Sequence, residues 1–498
     1  MKMRTLMGNN IRLFAKVALS LAVISLAATE THSFAQTKAK RIDELMTLYH
    51  KYGQFNGVIL VAERGQVVYE RAFGQANLEW GIPNTLDTKF EIASMTKPMT
   101  ALLIMQLVEE GKIRLDGKVS DYILYYPREN GTKITVDQLL NHTSGLQQDI
   151  AFSDNPNDVP PIITKINADL LSNDELVKLI ATRSLRFEPG TDYGYSSDGY
   201  AVLGAIIEHV SGKSYWQVLA ERILKPAGMT ETVPALLTPL VPRRASGYRQ
   251  SFASIENAMH IGATPAGGLY STARDLHRWE RALYGNSLAS QRSKDLLFSL
   301  RKVITAYGWK TAEEEWAGKR RKVLRTTGGL PGFVNLLLRV PEEERVIILL
   351  SNIRGGVYRL DEIAAVVNRI LDGARYETPK RSIAESLAPI IEHSGVAAAL
   401  TQFRQMQARP VEYSLSESEM NSLGYHLLYT RKAVDVAVAV FRLNVEAFPT
   451  SANAYDSLGE AYMVKGDKEL AIRNYQRSLE LNRQNTNAVE MLKKLRAN

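Results

Sequence analysis

Residues 90–97 read Phe90-Glu91-Ile92-Ala93-Ser94-Met95-Thr96-Lys97 and directly precede an apolar, helix-like run over residues 99–110. Ser94 and Lys97 are three residues apart, so their side chains share one face if the segment is helical. A serine hydroxyl is a weak nucleophile until a base takes its proton. A lysine can be that base where its surroundings lower its pKa. Taken alone, the S-x-x-K spacing favours an N-capping serine and a surface lysine.

Strand-like runs lie at some distance on both sides of this segment. Residues 58–61 and 67–69 flank a turn that contains Gly65, which is a hairpin pattern. Residues 335–340 and 346–350 form a second pair, and helical patterns lie between the two pairs. Strands at both ends with helices between them predict an α+β domain, whose antiparallel sheet takes its outer strands from opposite ends of the domain.

The composition excludes several classes of protein. The 498 residues are 45% hydrophobic and 23% charged, which is typical of a soluble globular chain with two to four domains. The absence of cysteine excludes disulfide frameworks, thiolate nucleophiles and cysteine-bound metals. The eight histidines lack H-E-x-x-H spacing, and no cofactor or metal is predicted. The basic run at residues 319–322 has no interleaved aromatic residues, so we predict no nucleic-acid partner.

The N-terminal residues 1–35 have the pattern of a secretory signal peptide. Basic residues precede an apolar run at residues 17–28, and the segment ends in Ser33-Phe34-Ala35. We therefore expect cleavage after Ala35 and a periplasmic or secreted protein. The apolar run is too short for a comfortable membrane span, so no stable span is expected after cleavage. A short uncleaved anchor is the alternative.

A second region follows the first domain. The polar, proline-containing residues 373–382 are predicted to link a domain at residues 36–372 to helices at residues 383–498. The recurring positions are Leu423-Gly424-Tyr425 with Leu458-Gly459-Glu460, Ala437 with Ala471, and Phe441 with Tyr475. This pattern resembles tetratricopeptide repeats of about 34 residues, with a degenerate copy at residues 387–407. The resemblance implies a protein partner; a plain helical cap is the alternative.

Further segments follow the S-x-x-K segment in a fixed order. They are residues 139–146 (LLNHTSGL), 187–190 (FEPG), 193–200 (YGYSSDGY), 224–229 (LKPAGM), 266–276 (AGGLYSTARDL), 327–333 (TGGLPGF) and 350–352 (LSN). Residues 40 to about 355 thereby resemble the serine β-lactamase-related hydrolases, which include class C β-lactamases, D-alanyl-D-alanine carboxypeptidases, D-aminopeptidases and related esterases. The resemblance implies a β-lactamase/transpeptidase-like antiparallel sheet flanked by helices, with an all-helical insertion.

The resemblance also implies roles for individual residues. Ser94 would be the nucleophile, Lys97 and Tyr195 its paired general base, and the backbone N–H groups of Ser94 and Gly329 the oxyanion hole. Backbone donors do not depend on side chains, so this part of the site is expected to be intact. His142, in the LLNHTSGL segment, is expected to have a structural, hydrogen-bonding role.

Two positions depart from the family pattern. The Y-x-N motif falls on Tyr195-Ser196-Ser197, where Ser197 replaces the asparagine. The K-T-G motif falls on Thr326-Thr327-Gly328, where Thr326 replaces the cation. The residues predicted to bind substrate are Ser197, Thr326, Thr327 and Gly328. Arg325 should face away from Thr326, because neighbouring side chains of a strand alternate. We therefore expect weakened recognition of a carboxylate-bearing β-lactam or D-alanyl peptide.

These observations predict an exported serine hydrolase that acts through an acyl-enzyme on an ester or amide. The substrate would be a small molecule or a cell-wall-type peptide. A D-alanyl-D-alanine carboxypeptidase or class C-type β-lactamase is the first alternative, and it would need another cation near Thr326. A non-catalytic binding protein that works through the repeats is the second.

Overall fold

The computed structural model describes residues 37–147, 171–236, 239–252, 254–258, 262–300, 306–355 and 358–497. The predicted signal peptide at residues 1–35 lies outside these ranges. Within them, no helix combines the length and apolarity needed to cross a bilayer.

A six-stranded antiparallel sheet forms the centre of the first region. Its strands are β1 (Gly57–Glu63), β2 (Gln66–Phe73), β3 (Lys310–Trp316), β4 (Lys319–Leu330), β5 (Phe333–Val340) and β6 (Arg345–Ser351). Their order in the sheet is β3-β4-β5-β6-β1-β2. The edge strands come from opposite ends of the region, and β1 pairs with β6, with Gly57 opposite Ser351. This arrangement confirms the predicted α+β class and the predicted sheet.

Helices cover both faces of this sheet. The helices of the first region are α1 (residues 37–51), α2 (Lys97–Glu109), α3 (Asn173–Ala181), α4 (Ser197–Ser211), α5 (Ala273–Ala282), α6 (Gln291–Phe298) and α7 (Leu360–Leu371), with short helical segments at Val119–Tyr122, Arg128–Gly131, Val136–Leu140 and Tyr215–Leu219. Val58 and Leu60 of β1 pack toward α2, whereas Ile59 and Val61 pack toward α1 and α7. The strand is thus buried on both faces, as its continuous apolar run indicates.

Helix α2 lies within the core rather than on the surface. Almost all of its side chains from Lys97 to Leu107 are buried. A 3₁₀ turn, Ala93–Thr96, leads into it, and Pro98 falls in the first turn, where no intrahelical bond is lost. The S-x-x-K segment is therefore fixed where the helical layer meets the sheet.

Two short sheets position residues near the site. Phe90–Glu91, just before the 3₁₀ turn, pairs with Leu269–Ser271, which also pairs with Val233–Pro234. Ile353–Arg354, which follows β6, pairs in parallel with Tyr248–Ser251, and that strand pairs with Ser254–Asn257. A third pair joins Gln75–Asn77 to Ile82–Pro83.

The C-terminal region is built of paired helices. They are α8 (Ile383–Gln407), α9 (Glu417–Tyr425), α10 (Val434–Ala447), α11 (Ala452–Lys465), α12 (Lys468–Leu481) and α13 (Thr486–Ala497). Gly395, with φ 78°, divides α8 into two helical parts. A Cβ on Gly424 would lie 2.5 Å from the Phe441 ring, and one on Gly459 would lie 3.1 Å from the Tyr475 ring. The same glycine-to-aromatic contact thus recurs in two successive helix pairs.

The two regions are in direct contact. Gln54 Nε2 donates to the Lys380 carbonyl oxygen at 2.7 Å, and Arg359 forms an ion pair with Glu419 at 2.9 Å. Arg381 and Ser382, at the end of the predicted linker, form a short parallel strand pair with Tyr413–Ser414, so regular structure begins slightly before residue 383. The division at residues 373–382 and the tetratricopeptide interpretation stay predictions.

Candidate active site

The turn that carries Ser94 is held from several directions. Its preceding residue, Ala93, has φ 51°, a left-handed conformation that is unfavourable for alanine. The Ile92 N–H donates to the Leu269 carbonyl at 2.9 Å, which ties the turn to the short sheet. A Cβ on Gly328 of β4 would lie 2.0 Å from the Ile92 carbonyl oxygen, so only glycine permits this close approach. The strained turn is therefore stabilised by its tertiary contacts.

Two predicted side chains, those of Tyr195 and Lys97, converge on the Ser94 hydroxyl. Tyr195 Oη donates to Ser94 Oγ at 2.9 Å, and Lys97 Nζ donates to the same Oγ at 3.1 Å. Tyr195 lies just before α4 and is separated from Ser94 by about one hundred residues, yet both groups are within proton-transfer distance. This arrangement can move a proton between Ser94 and either neighbour.

Lys97 is buried and has three acceptors for its three hydrogens. Besides Ser94, its Nζ donates to Ser197 Oγ at 3.1 Å and to the Ala266 carbonyl at 2.8 Å. The Nζ also lies 5.0 Å from the ring centroid of Tyr195, within cation–π range. These contacts fix the Lys97 Nζ beside Ser94. Ser197, which replaces the family's asparagine, thus still contacts the lysine.

His142 holds the backbone on both sides of Tyr195. Its carbonyl accepts the Gly194 N–H at 2.9 Å, and its Nδ1 accepts the Ser196 N–H at 3.2 Å. The imidazole also lies against the Tyr195 ring, with centroids 4.5 Å apart. Burial, together with the nearby Lys97 charge, lowers the pKa of His142 to about 3. A neutral ring with Nδ1 as acceptor follows, which agrees with the structural role expected from the sequence.

A cavity of about 380 Å³ opens beside Ser94. Its wall includes Ser94, Lys97, His142, Tyr193, Tyr195, Trp309, Lys310, Thr326, Thr327 and Gly329. Two of the predicted substrate-binding residues lie behind this wall: Ser197 contacts Lys97, and Gly328 packs against Ile92. Their positions indicate support of the catalytic groups rather than direct contact with a substrate.

The strand side of the cavity lacks a cation at position 326. Thr326 is buried, with 3% of its surface exposed, and it offers a hydroxyl where the family pattern has a charge. Arg325 also contributes to the cavity wall, and its guanidinium forms ion pairs with Glu314 and Asp361. The expectation that Arg325 faces away from Thr326 stays a prediction. Gly329, in contrast, is exposed at the cavity wall, where its N–H can face a substrate oxygen.

Two features of the site, the Ala266 carbonyl and Trp309, are not predicted by a local sequence pattern. The Ala266 carbonyl that receives Lys97 comes from a distant loop, although the AGGLYS segment marks that loop in the family. Trp309 lines the cavity and stacks on Trp279 at 5.6 Å, but single aromatic residues give no local pattern. In the described ranges, no group of three or more His, Asp or Glu side chains is placed to hold a metal ion.

The comparisons with known proteins agree with this geometry. The sequence model of the Beta-lactamase family matches residues 39–368. Penicillin-binding protein 4* of Bacillus subtilis (strain 168) is 30% identical over 369 residues, which cover 70% of this chain and 79% of that protein.

Solved structures share the fold. A penicillin binding protein from Bacillus halodurans superposes with a TM-score of 0.57 at 25% identity, over 66% of this chain and 98% of that one. A D-amino acid amidase from Ochrobactrum anthropi SV3 gives a TM-score of 0.55 at 22% identity, over 68% and 99%. From the family match and the similarity to the Bacillus subtilis protein, the chain belongs to the Beta-lactamase family and has a site of the serine-hydrolase type.

Proposed function

We propose that the protein is a serine hydrolase that cleaves an ester or amide through an acyl-enzyme on Ser94. The observation that carries the proposal is the convergence of Tyr195 Oη and Lys97 Nζ on Ser94 Oγ, at 2.9 and 3.1 Å. A hydroxyl becomes an effective nucleophile when a positioned base removes its proton during attack. Such proton transfer contributes about 10²- to 10⁴-fold to the rate.

The proposed acylation uses groups that are already in contact. In the reactive form one member of the Tyr195–Lys97 pair is deprotonated, and it takes the proton of Ser94 Oγ while that oxygen bonds to the substrate carbonyl carbon. The carbonyl oxygen becomes an oxyanion, which the N–H groups of Ser94 and Gly329 stabilise. Collapse breaks the bond to the alcohol or amine, and the pair returns the proton to that leaving group. Water then attacks the ester of Ser94, and the same proton transfers release the acid.

The substrate class is proposed from the cavity and from the relatives' names. Similar proteins are described as penicillin-binding and as a D-amino acid amidase, so a small molecule or a cell-wall-type peptide fits this family. The missing cation at Thr326 favours an ester or an unusual amide. A D-alanyl-D-alanine carboxypeptidase or class C-type β-lactamase is the alternative, and it requires a cation elsewhere in the site.

The non-catalytic alternative has less support. A binding protein would have no need to keep a buried lysine with three acceptors beside a serine. Burying a charge costs free energy unless it is well paired. Ser94 is in contact with both Lys97 and Tyr195, and Ser197, which departs from the family pattern, still contacts Lys97.

We also propose the wider organisation of the chain. Residues 36–372 would form the hydrolase domain, residues 373–382 a linker, and residues 383–498 tetratricopeptide-like repeats that bind a protein partner. The repeated contacts of Gly424 with Phe441 and of Gly459 with Tyr475 support a repeated helical unit. Export to the periplasm or the medium is proposed from the pattern of residues 1–35, and N-terminal sequencing of the mature protein would test it.

Steady-state and burst kinetics test the proposed reaction. A 4-nitrophenyl ester and the matching 4-nitroanilide would be offered to the wild type and to Ser94→Ala. We expect ester turnover by the wild type and a fall of at least about 10³-fold in the variant, since nucleophile removal typically has larger effects. Equal turnover by the two proteins would contradict the proposal.

A further inference from the structure

A hairpin of the first region reaches the C-terminal helices. Its strands are Tyr248–Ser251 and Ser254–Asn257, and Phe252 lies at its tip. The Phe252 side chain packs against the apolar core of the C-terminal helices, and its ring centroid is 5.4 Å from that of His426. Ser251 Oγ and His426 Nδ1 are hydrogen-bonded at 3.2 Å. The tip of this hairpin is therefore held by the other region of the chain.

The hairpin has little apolar core of its own. A two-stranded hairpin with strands of four residues is marginally stable in water. Ile255, Glu256 and Asn257 are exposed, and the hairpin is anchored to the first region at its base, where Tyr248 is buried. Phe252 has φ 51°, a left-handed conformation that is unfavourable for phenylalanine. Its contacts with the C-terminal helices therefore stabilise the tip in a strained conformation.

The base of the hairpin packs directly on the turn between β4 and β5. A Cβ on Gly332 would lie 2.6 Å from Ala258 Cβ and 2.7 Å from the Gly247 backbone. A Cβ on Gly247 would lie 2.6 Å from the Phe333 ring. The Ala258 N–H donates to the Gly247 carbonyl at 2.9 Å, which joins the two ends of the hairpin beside the turn. Because these backbones are close-packed, a shift of the hairpin moves the turn with it.

This turn is continuous with the proposed oxyanion hole. In the register of β4 and β5, Leu330 lies opposite Phe333, and Gly329 lies opposite Val334. Gly329 is thus three residues from Gly332, and it is exposed at the wall of the cavity. An oxyanion hole depends on donors that are held in place before the reaction. The position of the Gly329 N–H therefore depends on how firmly the turn is held.

We propose that the C-terminal helices are a positioning element of the active site, and that Phe252 is the positioning residue through which they act. The helices hold the tip of the hairpin, the hairpin holds the turn, and the turn fixes the Gly329 N–H where the oxyanion forms. The inference rests on the proposed function, because it concerns the oxyanion of that acyl transfer. It gives the helical region a role in hydrolysis that requires no partner protein.

A kinetic comparison tests the role of Phe252. In Phe252→Ala we expect kcat for 4-nitrophenyl acetate to fall by about tenfold while KM stays within about twofold, because oxyanion donors act chiefly in the transition state. Phenylboronic acid, which forms a tetrahedral anion on a serine hydroxyl, should also bind about tenfold more weakly. Phe252→Leu keeps an apolar side chain, so kcat should fall by only about threefold.

Two control variants separate positioning from a loss of stability. Ile255 is on the same hairpin but is 49% exposed, so Ile255→Ala should leave kcat and KM unchanged. Tyr475 is buried against Gly459 in a later helix pair, so Tyr475→Leu should lower the stability of the helices without moving the hairpin. Its kcat should stay at the wild-type value at a temperature where thermal unfolding shows every variant to be folded.

The outcomes distinguish this inference from the proposed function. An unchanged kcat in folded Phe252→Ala, a rise in KM alone, or an equal fall of kcat in Ile255→Ala or Tyr475→Leu would overturn the inference, while Ser94-dependent hydrolysis by the wild type would stand. Absence of Ser94-dependent ester hydrolysis in the wild type would overturn the proposed function, and this inference with it.

Discussion

The nucleophile side of the cavity and its strand side differ in how they keep the family pattern. On the nucleophile side, Ser94, Lys97 and Tyr195 are all kept, and their polar atoms are in contact at 2.9 to 3.1 Å. On the strand side, Thr326 replaces a cation, but the backbone of Gly329 still lines the wall. Catalysis needs short contacts between fixed groups. The comparison therefore predicts the largest effects at groups that contact Ser94 Oγ and smaller ones at residues that only hold those groups in place.

The largest effect is expected from Tyr195→Phe. The change removes only the hydroxyl that lies 2.9 Å from Ser94 Oγ and keeps the ring packed on His142. We expect kcat/KM to fall by about 10²- to 10⁴-fold, the usual contribution of a general base. Tyr193→Phe is the matched control, because Tyr193 lines the same cavity and its effect should be below about threefold. Equal losses in both variants would show that the Tyr195 hydroxyl has no special role.

The contact between the two sides can be broken at Gly328. An added methyl group would meet the Ile92 carbonyl at 2.0 Å, so Gly328→Ala must push β4 away from the nucleophile turn. A displacement of this kind typically costs about 10²-fold in rate and about 1–3 kcal/mol in stability. Gly285→Ala, where nothing lies within 4 Å, is the control and should change neither. Thermal unfolding and ester hydrolysis measure both effects, and full activity in Gly328→Ala would contradict the close approach.

A smaller effect is expected at His142, which positions Tyr195 without touching the Ser94 hydroxyl. His142→Ala removes the Nδ1 acceptor of the Ser196 N–H and should lower kcat by about tenfold with little change in KM. His142→Asn should restore much of kcat, because asparagine offers an acceptor and tolerates the φ of 61° at this position. A change in KM alone would assign His142 to substrate binding instead.

The buried imidazole also makes a prediction about pH. Its pKa of about 3 lies below the ordinary value of 6.5, so the unfolded chain binds the proton more readily than the folded one. Stability from this group is therefore complete above pH 6.5 and decreases as the pH falls from there toward 3. Between pH 7 and 5 the wild type should lose about 2 kcal/mol more than His142→Asn. The free energy of unfolding of both proteins would be measured by chemical denaturation at the two pH values. Equal losses in the wild type and in His142→Asn would show that His142 is not held neutral.

The smallest effect is expected from Ser197→Asn, which restores the family's side chain. Ser197 contacts Lys97 Nζ at 3.1 Å and does not line the cavity, so neutral-ester hydrolysis should change by less than about threefold. A gain or loss beyond tenfold would mean that position 197 reaches the substrate. Steady-state kinetics with a neutral 4-nitrophenyl ester, for the wild type and for Ser197→Asn, would distinguish these outcomes.

Local patterns in the sequence identify much of the fold. The turn at Gly65, the strand-like runs on both sides of it and the apolar run after Lys97 predict β1, β2 and α2, and the structure has all three. The ordered segments indicate which residues meet at Ser94. The basic run at residues 319–322 shows the limit of such patterns: in β4 it lies opposite Glu313, Glu314 and Glu315 of β3, a register that no local pattern specifies.

The rest of the site depends on contacts between distant segments. Three contacts each join parts of the chain that are far apart. The His142 ring packs on Tyr195, the Ala266 carbonyl accepts a hydrogen bond from Lys97, and Arg354 lies beside Gly329. Periodicity and motif spacing describe neighbours along the chain, so they contain no information about these distances. The sequence thus indicates the proposed reacting groups and a structural role for His142, but not the contacts that orient these groups.

Intact-mass spectrometry after treatment with a fluorophosphonate, beside Ser94→Ala, examines the nucleophile directly. We expect one covalent adduct on the wild type, located on Ser94 by peptide mapping, and none on the variant, because Tyr195 and Lys97 contact and activate this hydroxyl. A folded wild-type protein without an adduct, or an adduct that persists in Ser94→Ala, would contradict the acyl-enzyme mechanism.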